Sequence, residues 1–74
     1  MTVVYLTHVD AGQNMARFYT MSLQPTLFGE WSLVREWGRI GRGGQVKATP
    51  YSAKAEAEAA LEKLRAAKVR KGYH

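Results

Sequence analysis

Cysteine is absent from the 74 residues, which excludes a disulfide framework and a cysteine-based zinc site. Histidine is scarce. His8 and His74 stand at opposite ends of the sequence with no third ligand at useful spacing, so no metal centre is expected. His8 reads as an ordinary strand-edge residue, and His74, the final residue, is expected to be mobile. No apolar run approaches the roughly 20 residues that cross a bilayer. Met1-Thr-Val-Val-Tyr-Leu also lacks the basic start and longer apolar stretch of a signal peptide. A cytoplasmic protein is the expectation. At this length one small domain, residues 1–74, is expected to bury only about 60% of its unfolded surface.

Catalytic groupings are missing as well. Serines and threonines fall in strand, loop and cap positions with no base beside them. Glu30 and Glu36 lie six residues apart on one strand, where solvent exposure explains both. The glycines at 38, 41, 43 and 44 supply no Gly-Lys-Ser or Gly-Lys-Thr for a phosphate loop. They are followed by a strand-like "QVKAT", whereas a dinucleotide fingerprint requires a helix there. They read as hairpin glycines that tolerate positive φ. No enzyme, cofactor or small-molecule substrate is expected.

Acid is the scarce charge. Eleven Lys and Arg oppose six Asp and Glu, a net charge of +5. The excess is clustered. Lys63 to His74 holds five basic residues and no acid, and Arg35, Arg39, Arg42 and Lys47 form a second group. Such a bias attracts polyanions. A membrane-surface role for the Lys63–Lys71 segment is disfavoured, because its alanine-rich apolar side lacks bulky residues.

What is present suggests an α+β domain: about four antiparallel strands packed with one C-terminal helix. "TVVYLTHV" (2–9) and "ARFYTMSL" (16–23) read as strands around a "DAGQN" turn. The second strand places Arg17, Tyr19, Met21 and Leu23 on one side. A long strand from Glu30 to Ile40 places Trp31, Leu33, Arg35, Trp37 and Arg39 on one face. "QVKAT" (45–49) returns from the hairpin. Residues 53–70 are helix formers with a stripe at Ala57, Ala60, Leu61, Leu64 and Ala67. Ser52 is the expected N-cap and Gly72 the stop. Phe28, Trp31 and Leu33 are expected in the core or at its rim. Trp37 fits a core less well, because Arg35 and Arg39 flank it on its own face. Stacking beside cations suits bases, sugars and phosphates, and arginines snorkelling round a half-buried tryptophan would give the same pattern.

The stretch "RFYTMSLQPTLFGEWSLVREWGRIGRGGQV", then a helix and "KVRKGY", resembles the WGR domain. The likeness rests on the Phe18-Tyr19 pair, the W-G-R-I-G core at 37–41, Gly44-Gln45, and K-x-x-K-G-Y at 68–73. It implies a single sheet with one helix. In poly(ADP-ribose) polymerases such domains bind DNA ends, and by that resemblance Trp37 packs on a terminal sugar, Arg39 serves DNA or interdomain contacts, and Arg17 contacts the DNA end. An asparagine usual before that basic residue is Ala16 here, which removes a polar contact. The implied function is a non-enzymatic nucleic-acid-binding module, for DNA sooner than RNA, using Trp37, Arg39, Arg17, Arg42, Gln45 and Lys47. The alternative is a protein-interaction adaptor on the same surface, since Trp and Arg also dominate protein interfaces. This chain resembles the compact free-standing bacterial form of the family, without attached catalytic domains.

Overall fold

A computed structural model describes residues 3–74; Thr2, the expected start of the first strand, lies outside the described residues. Four strands form an antiparallel meander in the order β1-β2-β3-β4: Val3–Asp10, Met15–Pro25, Trp31–Arg39 and Gln45–Tyr51. The one α-helix among the described residues, α1, follows at Lys54–Arg70. The α+β expectation holds, with β2 extending one residue before and two beyond the alternation that announced it, and β4 two beyond.

Alternation in β2 and β3 builds the core. The register sets Tyr19 opposite Trp37, Met21 opposite Arg35, and Leu23 opposite Leu33. Leu6 on β1 joins Tyr19, Met21, Leu23 and Leu33, and Ala57 and Leu61 of α1 close over them. Fully burying each large aliphatic side chain contributes about 1.5–3 kcal/mol. The helix stripe is thin, and its alanines let α1 lie close to the sheet.

Three local expectations are corrected. Phe28 is 88% exposed, and its neighbour Leu27 is 99% exposed. The Thr26 hydroxyl accepts from the Phe28 and Glu30 amides at 3.3 and 3.2 Å, and the Thr26 amide donates to the Glu30 carbonyl at 2.8 Å. That closed loop points both apolar side chains away from the core. Ser52 is not the N-cap: Ala53 occupies that position without a side-chain cap, and the Ser52 hydroxyl donates instead to the Glu56 carboxylate at 3.2 Å.

The third correction concerns the chain end. Gly72, at φ 101°, lets α1 finish with the Gly72 amide on the Val69 carbonyl and the Tyr73 amide on the Lys68 carbonyl, a Schellman closure. A Cβ on Gly72 would meet the His8 imidazole at 3.2 Å, so this glycine satisfies both a left-handed turn and a close approach. The closure folds the tail back onto the sheet. His74 donates its amide to the Thr7 carbonyl at 2.8 Å and accepts from the Thr7 amide at 2.9 Å. His74 is therefore pinned to β1, and His8 packs edge-on against Tyr73 with ring centroids 5.5 Å apart.

Candidate functional site

Helix α1 does not cover its face of the sheet evenly. Where β2 begins and β3 ends, a recess of about 440 Å³ stays open, lined by Arg17, Tyr19, Trp37, Gly38, Arg39, Lys68 and Tyr73. Arg17 and Arg39 are register partners on adjacent strands, so their guanidinium groups rise from directly opposite positions. Trp37 is half-buried and stacks on Tyr19, with centroids 5.8 Å apart and rings 17° from parallel. Tyr73 meets Tyr19 edge-on at 6.2 Å. No acidic side chain lines the recess.

The hairpin that precedes β4 holds the tryptophan in place. A Cβ on Gly44 would collide with the Trp37 carbonyl, and a Cβ on Gly38 would lie 2.9 Å from the Gly44 Cα. Both positions exclude larger residues because the returning backbone crosses there. Of the glycines in this segment only Gly41 has positive φ, so close approach, more than turn geometry, accounts for the cluster. Phe18 fills the space beneath Gly38 and Gly44 on the far face of the sheet.

Lys68 completes the cationic wall. Its ammonium sits 4.4 Å from the Tyr19 ring centroid and 5.8 Å from that of Tyr73. Partial burial, then the positive charges of Lys71 and Arg35, lower its pKa from the ordinary lysine value of 10.5. A cation held where its charged form is disfavoured gains from an arriving anion. Arg35 borders the recess from the other side, its guanidinium carbon 5.6 Å from the Trp37 ring centroid.

Of the residues singled out in the sequence, Arg17, Trp37 and Arg39 meet in the recess. Gln45 pairs with Trp37 across β3–β4 but stands exposed outside it, and Lys47 pairs with Arg35 farther along β4. Arg42 lies in the hairpin turn, exposed, with its amide on the Arg39 carbonyl at 3.1 Å. Sequence reasoning missed Tyr19, Lys68 and Tyr73 as site residues. The K-x-x-K-G-Y ending was the visible signal for Lys68 and Tyr73, and the Phe18-Tyr19 pair that for Tyr19.

A family model for the WGR domain matches residues 2–74. The chain belongs to the WGR family. Among curated proteins, this WGR domain is similar to the uncharacterized protein y4dW of Sinorhizobium fredii. The two are 39% identical over 70 residues, which cover 95% of this chain and 34% of that protein. The WGR chain thus spans about a third of that relative's length. No solved structure matches. No helix among the described residues is long and apolar enough to cross a membrane, and no group of three or more His, Asp or Glu residues among them could hold a metal ion.

Proposed function

We propose that this WGR domain is a non-enzymatic nucleic-acid-binding module that takes a DNA end, nick or junction in the recess around Trp37. One observation carries the reading: three cations, Arg17, Arg39 and Lys68, surround a half-buried tryptophan in a recess without acid. Trp37 offers its ring to a terminal sugar or base. Arg17 and Arg39, raised from opposite positions on β2 and β3, take a phosphate between them. Lys68 neutralises the charge from the helix side. The family match supports the reading, because the resemblance implied these roles for Trp37, Arg39 and Arg17.

Binding of a 5′-phosphorylated blunt duplex is titrated at several salt concentrations. Neutralising about four phosphates gives a log–log slope on the order of −3 to −4. Trp37→Ala, checked for folding by circular dichroism, weakens binding by the roughly 5- to 150-fold that one aromatic stack contributes. Salt-insensitive binding, or a folded Trp37→Ala protein of unchanged affinity, contradicts the reading. A poly-glutamate chain that binds as tightly as DNA favours the adaptor reading instead.

A further inference from the structure

Beside the recess, α1 and the β3–β4 pair enclose a second open groove of about 390 Å³. Its floor is Leu33, Thr49 and Tyr51, its helix wall Ala60, Leu64 and Ala67, and its charges Arg35 and Lys63. Lys47 stands directly opposite Arg35 in the β3–β4 register. Like charges at opposed positions destabilise a sheet, yet this face carries two such pairs, Arg17 with Arg39 and Arg35 with Lys47, one on each side of Trp37. No acid lines either opening, and the one ion pair among the described residues, Arg65 with Glu62 at 3.0 Å, lies on the exposed side of α1.

Arg35 joins the two openings. It faces Trp37 on one side and lines the groove on the other. One of its terminal nitrogens donates to the Tyr19 hydroxyl at 3.4 Å, while its Nε is buried with no hydrogen-bond partner among the described residues. A buried donor left unpaired costs free energy that an arriving acceptor would recover. Successive same-face residues of a strand lie about 6.7 Å apart, so Arg35, Trp37 and Arg39 form a short row of cation, aromatic, cation.

We propose that the α1–β4 groove is a second anion subsite, which takes the next nucleotide of a single-stranded extension leaving the recess. This rests on the nucleic-acid reading of the recess. Arg35, Lys47 and Lys63 hold the phosphate, and the apolar floor with Tyr51 receives the sugar and base. Trp37 and Arg35 stand between the two openings, and an unpaired strand is free to bend across them from one opening to the other. The ligand class is therefore a DNA end carrying an unpaired tail.

The test compares a blunt 5′-phosphorylated duplex with the same duplex bearing a four-nucleotide single-stranded extension, by fluorescence anisotropy on the full chain. Wild type binds the extended duplex at least about fivefold more tightly, the lower bound for one further stacked base. The double variant Lys47→Ala/Lys63→Ala changes two exposed side chains outside the core. It removes that advantage, lowers the salt slope on the extended duplex by about 1.4, and weakens blunt-duplex binding less than extended-duplex binding. Equal wild-type affinity for both ligands, or a double variant that weakens both alike, overturns the subsite. So does poly-glutamate binding that needs Lys47 and Lys63 while the extension does not. Trp37→Ala keeps the two failures apart. If it weakens both duplexes while the extension confers nothing, the recess stands and the groove falls; if it weakens neither, the recess reading itself has failed.

Discussion

On the face of the sheet that carries α1, the pleat sets Arg17, Arg35, Arg39 and Lys47; on the opposite face it sets Val3, Tyr5, Val9, Phe18, Val34 and Val46, with Glu36 as the charged residue. None of the four strand cations projects from that open face, and the other basic residues belong to α1, its flank and the hairpin turn. Both faces leave apolar atoms in water, and both hold an aromatic stack: Tyr19 on Trp37 at 5.8 Å, and Tyr5 on Phe18 at 6.4 Å. Aromatic exposure therefore does not distinguish them. Charge does, because a polyanion is drawn to stacking rings that stand among cations and not to rings beside a lone carboxylate.

The comparison is sharpened most strongly by truncating each face. Met21 is 0% exposed beneath α1, and Val9 is 63% exposed on the open face. Met21→Ala is expected to lower unfolding stability by about 2–5 kcal/mol, and Val9→Ala to stay within about 0.5 kcal/mol, both measured by urea denaturation. Comparable losses at the two positions would mean that the open face is also packed in solution.

A smaller effect is expected from Lys68. Its pKa is lowered in the folded protein by burial and by Lys71 and Arg35. Between that lowered value and 10.5 the unfolded chain holds the proton more tightly, so unfolding stability rises with pH through this window, and below it the charged lysine is a constant penalty. Nucleic acid bound as proposed would stabilise the ammonium, so affinity is expected to fall as pH rises through this range. Lys68→Arg keeps its charge there, and should lose less affinity than wild type when both are titrated at fixed salt. Identical pH profiles would place Lys68 outside the ligand's reach.

Much of this was legible in the residues, for reasons that differ by element. Period-two alternation through Arg17–Leu23 and Trp31–Arg39 assigned the strands and their buried side, because one face must meet the helix. The Ala-Leu stripe located α1 for the same reason. Phe28 misled because hydrophobicity alone implies burial, whereas its direction is decided by the hydrogen bonds that Thr26 makes within the loop. Half of the candidate site was visible, since alternation sets Trp37 and Arg39 on one face of β3 and the resemblance adds Arg17. Tyr73 was hidden because its place depends on a long-range event, the reversal at Gly72 that pins His74 to Thr7, and Lys68 because a lone cation on a helix gives no sign of the rings it will meet. Gly38 and Gly44 were recognisable as special, but the collision that requires them became apparent only with the hairpin folded over Trp37.

The central claim is that polyanion binding belongs to the α1 face, at the recess, and not to the open face. Amide and indole chemical-shift changes on titrating a short 5′-phosphorylated duplex test it directly, since both faces are followed in one experiment. The account predicts the largest changes at the Trp37 indole and at Arg17, Arg39, Lys68 and Tyr73, with Tyr5, Val9 and Val46 unmoved. Changes concentrated at Tyr5, Val9 and Val46, with a silent Trp37, would contradict it.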